Sequence, residues 1–94
     1  MDYDEFVRVL NEEDYEFDDI ETKLSNKKDL HAFLVIDAYT PDERSIISGE
    51  AHDEIYIAVD VEFLALNITL KEARELSACG VMVDEDFPAL CMFV

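Results

Sequence analysis

The stretch "TLKEARELSACGVMVDEDFPALCMFV", Thr69–Val94, decides the fold class because it combines one helix with two strands. Thr69 and, three residues later, Glu72 form a capping box, which predicts the start of a helix over about residues 70–79. Gly80 is placed to end that helix in the left-handed conformation. The packed face of the helix is predicted to consist of Leu70, Ala73, Leu76 and Ser77.

Strands are predicted on both sides of this helix. After it, Val81–Val83 and Ala89–Val94 read as two strands joined by the acidic turn "DEDFP". Before it, Ile55–Phe63 places apolar residues at every second position, and Ser45–Gly49 is a short strand. Leu30–Tyr39 is almost continuously apolar, which is typical of a central strand.

The N-terminal part begins with a predicted helix over Tyr3–Asn11. Asp2 is its expected N-cap, and Glu5 would complete an acidic variant of the capping box. The next stretch, "NEEDYEFDDIE" at Asn11–Glu21, has seven acids in eleven residues.

Two aromatic residues interrupt this acidic stretch. Tyr15 and Phe17 alternate with the acids around them, which favours a strand that continues to about Leu24. The spacing of Phe17, Ile20 and Leu24 would also fit a helix.

Together these elements predict a single small α+β domain over residues 1–94. Its sheet is expected to be mainly antiparallel with about five strands, and its helices are the N-terminal one and the one near residues 70–79. Half of the residues are hydrophobic, which supports a packed core over disorder.

The net charge of −17, from 24 acids and seven bases, is the least ordinary property of the chain. Self-repulsion at this charge opposes folding, and salt relieves part of it. The sign excludes direct binding of nucleic acid through phosphate contacts and disfavours anionic membranes. It favours a basic partner, a cation or a high-salt environment.

No leader or membrane span is expected, because "MDYDEF" lacks a basic segment and no apolar run approaches the length of a span. We therefore expect a cytoplasmic protein. Cys79 and Cys91 lie in apolar surroundings and are expected to be buried free thiols.

Metal sites are weakly indicated. Asp14, Glu16 and Asp18 match the first positions of an EF-hand loop, but Asp19 and Ser25 stand where that loop needs Gly and Glu. His31, His52, Asp53 and Glu54 lack the spacing of a zinc motif. We expect no metal and no cofactor.

Catalysis is not expected either. The chain has no nucleophile elbow, no phosphate-binding glycine loop and no activated cysteine. The acids instead suggest recognition, because ten of the 24 fall within Asp2–Glu21 and others gather at turns.

A strand at Asp14–Asp18 would set its outward carboxylates about 6.6 Å apart in a row backed by Tyr15 and Phe17. Such a row resembles the dense charge of a nucleic-acid backbone. The predicted partner-binding residues are Glu12, Glu13, Asp14, Glu16, Asp18, Asp19, Glu21, Asp84, Glu85 and Asp86.

In size, acidity and lack of catalytic motifs the chain resembles small acidic phage proteins that inhibit host nucleic-acid enzymes, some of them as DNA mimics. The resemblance implies a non-enzymatic inhibitor of a basic nucleic-acid-binding protein, such as a CRISPR effector, a restriction enzyme or a nuclease. The alternatives are an immunity protein against a nuclease toxin, a cation-binding protein, a small enzyme and a halophilic acidic domain. A homodimer through an edge formed by "ALCMFV" also stays open.

Overall fold

The computed structural model of the chain describes residues 1–51, 53–84, 86 and 88–93. In chain order, the helices and strands are α1 (Tyr3–Glu12), α2 (Lys28–Asp37), β1 (Ile47–Ala51), β2 (Glu54–Ile57), α3 (Val61–Asn67), α4 (Leu70–Ala78), β3 (Val81–Asp84) and β4 (Ala89–Phe93). A 3₁₀ turn, Phe17–Asp19, lies between α1 and α2.

The strands form one antiparallel sheet in the order β1-β2-β4-β3. α1 and α4 pack on β3, α3 packs on α1, and α2 packs on α4. The core lies between the sheet and these helices, and the predicted α+β class is confirmed. The sheet contributes to the core the buried side chains of Ile55, Ile57, Val81, Val83, Leu90 and Met92.

The predicted N-cap Asp2 and the predicted capping box of α4 are confirmed, whereas α1 has no capping box because Glu5 returns no side-chain hydrogen bond to Asp2. Asp2 Oδ1 accepts a hydrogen bond from the backbone N–H of Glu5 at 2.8 Å. Thr69 and Glu72 form the full capping box of α4, and Gly80 follows the helix with φ +86°. Leu70 is a correction: as the first residue of α4 it is 39% exposed, and the buried face contains Ala73, Leu76 and Ala78.

The predicted strand at Leu30–Tyr39 is wrong, because this stretch forms α2. His31, Ala32, Val35 and Ile36 are its buried residues, at the spacing of one helical face. The other faces are also apolar, since Leu30 and Leu34 are exposed leucines. A run that is apolar on every face does not distinguish a buried strand from a helix by its periodicity.

The predicted strand at Ile55–Phe63 is correct only in its first part. β2 ends at Ile57, and Asp60 caps α3 by accepting from the N–H groups of Glu62 and Phe63 at 3.1 and 3.2 Å. Val61 and Phe63 continue the period of two by coincidence. The helical signal was the spacing of the buried residues Val61, Leu64, Ala65 and Ile68.

The predicted strand from Asp14 to Leu24 is also wrong. The chain is extended at Glu13 and Glu16, forms the 3₁₀ turn at Phe17–Asp19 and is extended again at Ile20, and it forms no strand there. At the outer edge of β3, beside α1, the backbone of Val83 is hydrogen-bonded to the side chain of Asn11 and not to another strand. Asn11 Nδ2 donates to Val83 O, and the Val83 N–H donates to Asn11 Oδ1, both at 2.9 Å. The sheet therefore has four strands in the described residues and not about five.

The remaining strands lie close to their predicted places. β1 begins at Ile47, later than predicted, and carries a register irregularity between Ile47 and Gly49. β3 and β4 form the predicted hairpin, while Val94 lies outside the described residues. β4 pairs with β2 on one side and β3 on the other. The proposed dimer edge at "ALCMFV" is therefore not free.

Candidate functional site

The segment from Glu12 to Leu24, called here the acidic segment, is held by a few buried contacts. Phe17 and Ile20 belong to the core, at 8% and 9% exposure. The Phe17 ring meets the His31 imidazole edge to face, with 6.0 Å between centroids. The Leu24 N–H donates to His31 Nδ1 at 3.1 Å. The segment thus has a defined course although it contains no strand.

This course exposes most of the predicted acids. Tyr15 is half-buried and Phe17 is buried, so the predicted aromatic backing is present. The regular 6.6 Å row is not, since it needs strand geometry. The exposed carboxylates of the acidic segment are those of Glu12, Asp14, Glu16, Asp18, Asp19 and Glu21.

Glu13 differs from the other acids of the segment because it is paired within the molecule. Its Oε1 lies 3.0 Å from Arg8 Nη1 and its Oε2 lies 4.0 Å from Arg74 Nε. The Arg74 guanidinium also lies over the Tyr15 ring, 5.0 Å from its centroid. The Glu13 carbonyl accepts from Ser77 Oγ at 3.1 Å. Glu13 therefore anchors the segment to α1 and α4.

The contact between Asn11 and Val83 places Asp84, which belongs to the second group of predicted acids, near the start of the acidic segment. Because the Asn11 side chain holds both backbone groups of Val83, the following residues Glu12 and Asp84 lie at the same edge of the molecule. The Asp86 N–H donates to Asp84 Oδ1 at 2.9 Å, which fixes the start of the β3–β4 turn. Glu85 lies outside the described residues. Asn11 and Val83 are 72 positions apart, so local pattern gives no sign of this contact.

A second surface, absent from the sequence predictions, is the side of the sheet that faces away from the core, called here the open face. Tyr56, Cys91 and Met82 lie side by side across β2, β4 and β3. Glu54 pairs with Phe93 in the next row. None of these five belongs to the hydrophobic core cluster.

The acids of the open face shift the pKa values of its neighbouring groups. The Glu54 carboxylate, with smaller effects from burial and Asp84, raises the pKa of Tyr56. Burial, followed by the carboxylate of Glu54, raises the pKa of Cys91 to about 11. Cys79 has a pKa raised to about 11 as well, mainly by burial. Both cysteines are buried free thiols, as predicted.

The two surfaces differ in their positive charges. Arg8, Lys23, Lys71 and Arg74 lie on or beside the acidic segment, where Lys23 Nζ is 5.3 Å from the Phe17 ring centroid. Residues 45–70 and 75–94, which contain all four strands, have no Lys or Arg. The strands therefore supply no cation to the acids of the open face.

A surface cavity of about 510 Å³ separates the acidic segment from α4. It is lined by both signs of charge, with Glu16, Asp19 and Glu21 on one side and Lys71 and Arg74 on the other. A second cavity of about 500 Å³ lies towards α2 and shares Lys71 and Glu75 with the first.

Of the two histidines, for which no zinc motif was found in the sequence, His31 is buried. His31 is fully buried in α2, and its Nε2 lies 3.2 Å from Glu75 Oε1. Because Nδ1 accepts the Leu24 N–H, the ring proton belongs on Nε2. His52 lies outside the described residues. Within the described ranges, no three His, Cys, Asp or Glu side chains come together as a metal-binding group.

None of the helices in the described part of the chain combines the length and apolar character needed to cross a bilayer. Comparisons of the sequence with protein-family models and with curated proteins, and of the fold with solved structures, give no match.

Proposed function

We propose that the protein is a non-enzymatic acidic inhibitor that occupies the basic nucleic-acid-binding site of a partner protein. The partner would be a CRISPR effector, a restriction enzyme or another nuclease, as for phage anti-defence proteins. One observation carries the proposal: six exposed carboxylates stand on a segment anchored by buried side chains. Among the described residues, none of these six lies within 4 Å of a cationic group.

Anchoring matters because a partner gains more from charges that are already in place. A disordered acidic tail would lose conformational entropy on binding, whereas the acidic segment is held by Phe17, Ile20 and the contacts of Glu13. Lys and Arg groups that bind a nucleic-acid backbone meet about one charge per 1.7 Å of duplex. Without a strand the segment does not copy phosphate spacing, and the proposed mimicry is one of charge density.

The proposal is tested by inhibition of DNA cleavage, using a panel of purified CRISPR effector nucleases and restriction enzymes. We expect inhibition of at least one enzyme. The variant Asp14→Asn/Glu16→Gln/Asp18→Asn should inhibit it about tenfold less well and with a weaker salt dependence, because fewer partner cations are engaged.

The matched control is Asp37→Asn/Asp42→Asn/Glu43→Gln, which removes three exposed charges of the same types elsewhere. It should inhibit like the parent. Equal losses in both variants would mean that only net charge matters. A panel with no inhibited enzyme would contradict the proposal.

An immunity protein against a nuclease toxin would use the same surface, and inhibition confined to a toxin nuclease would favour that function. A halophilic domain would be unfolded below molar salt, which circular dichroism at low salt detects.

A further inference from the structure

We propose that the open face of the sheet is a second docking surface, which binds an amphipathic basic segment of the partner. On this view apolar side chains of the segment cover Tyr56, Met82 and Phe93, and its Lys or Arg groups lie opposite Glu54 and Asp84. The inference rests on the proposed function, because it assigns a further part of the same interface.

The open face exposes apolar side chains. Phe93 is 63% exposed and pairs with Glu54 across the β2–β4 ladder. Tyr56 and Met82 are half-buried and flank the buried thiol of Cys91. Aromatic residues and Met are enriched at protein interfaces, where a few residues, often Tyr, supply most of the binding energy.

The charge of this face selects the occupant. Glu54 and Asp84 flank the apolar row, and both carboxylates, Glu54 more than Asp84, raise the pKa of Tyr56 at the β2 end of that row. Residues 45–70 and 75–94 have no Lys or Arg, so the strands leave these charges uncompensated. A partner segment that carries cations beside apolar groups complements both features.

A second copy of the chain fits this face poorly. Face-to-face association would bring Glu54 and Asp84 of two molecules together, each molecule carrying −17. Juxtaposed like charges oppose such an interface. The Asn11 side chain at Val83 also limits pairing through the outer edge of β3.

The test uses two synthetic peptides of equal length and charge, one alternating Arg with Leu and one alternating Arg with Ser. Binding is followed by the amide chemical shifts of the ¹⁵N-labelled protein. We expect the Arg–Leu peptide to bind about tenfold more tightly, which corresponds to about 1.4 kcal/mol. Its largest shifts should fall at Tyr56, Met82, Cys91 and Phe93.

Two matched variants distinguish binding at the open face from nonspecific binding elsewhere on the protein. Phe93→Ser should abolish the preference for the Arg–Leu peptide. Phe63→Ser, which changes a phenylalanine that is 48% exposed on α3, should keep it. Retention of the preference in Phe93→Ser, or shifts confined to the acidic segment, would overturn the inference.

The outcomes also distinguish this inference from the proposed function. Equal binding of the two peptides would contradict the docking surface and leave the acidic inhibitor in place. Failure of both peptides to bind would contradict both. A dimer in sedimentation that Phe93→Ser dissociates would assign the open face to self-association and overturn the inference.

Discussion

The acidic segment and the open face of the sheet carry negative charge in opposite ways. The segment has seven acids in thirteen residues, no strand, and nearby cations at Arg8, Arg74 and Lys23. The open face has only a few acids, on regular strands that contain no Lys or Arg. In the described part of the chain the fold thus pairs one acid of the segment, Glu13, and leaves the other six without a cationic group within 4 Å.

This difference follows from what each region needs in order to fold. An irregular segment has no ladder of backbone hydrogen bonds, so its position depends on side-chain contacts. Here Glu13 pairs with Arg8 and Arg74, and Arg74 also lies over the Tyr15 ring. The strands are held by backbone pairing and a buried face. Their outward acids are then available to a partner.

The largest expected effect is the loss of an anchor of the segment. Phe17→Ala should lower the free energy of unfolding by about 3–5 kcal/mol, because the ring is 8% exposed and packs against His31. Phe93→Ala, on the open face, should change it by no more than about 0.5 kcal/mol. Urea denaturation of both variants gives the comparison. Similar costs would mean that Phe93 is covered and that the open face is misassigned.

The contact that joins the two regions should have the next largest effect. Asn11→Ala leaves the N–H and C=O of Val83 without their partner and should cost about 1–3 kcal/mol. Asn67→Ala removes an amide that donates only to the exposed end of α3, and little change is expected. Hydrogen exchange should speed up at Val83 in the first variant alone. Unchanged protection of Val83 would show that Asn11 does not hold this edge.

Neutralising acids should change the free energy of unfolding in opposite directions in the two regions. Glu13→Gln should destabilise by about 0.5–1 kcal/mol, because it removes the pairing with Arg8 and Arg74. Glu54→Gln/Asp84→Asn should be neutral or stabilising by about 0.5 kcal/mol, since it relieves repulsion. Thermal denaturation at low and moderate NaCl measures both, and salt should shrink both effects. Destabilisation by both changes would refute the contrast between paired and uncompensated acids.

The smallest expected effect concerns the thiols. Glu54→Gln should lower the pKa of Cys91 from about 11, because a carboxylate disfavours the thiolate, while burial, the larger cause, remains. Cys79, whose neighbouring carboxylate is Glu75, should keep its pKa and serves as the internal control. The pH dependence of the ¹³Cβ shifts of the two cysteines reports both values. Equal movement of both would point to a general change in the protein and not to the field of Glu54.

Residues with explicit local signals made part of the fold predictable. Asp2, the Thr69–Glu72 pair and Gly80 act on their own backbone or its near neighbours, so the start of α1 and both ends of α4 follow from the sequence. α2 does not, because Leu30 and Leu34 make it apolar on its exposed side as well.

The exposure of the acids of the candidate site was also predictable in part. Alternation between acids and apolar residues correctly gave the exposure of Asp14, Glu16 and Asp18, since burial of Phe17 needs no strand. The pairing of Asn11 with Val83 depends on long-range packing, and no local rule gives it. Absence of Lys and Arg after residue 74 was visible in the sequence. Its meaning required knowing that β2 lies beside β4, which places Glu54 next to Phe93.

The central claim is that the acids occupy a nucleic-acid site, and competition measures it most directly. A labelled DNA duplex is bound to an enzyme that the protein inhibits, and the protein is then titrated at several salt concentrations. We expect the protein to displace the duplex in a mutually exclusive manner, with an affinity that falls steeply as salt rises. A ternary complex of enzyme, duplex and protein, or an affinity independent of salt, would contradict it.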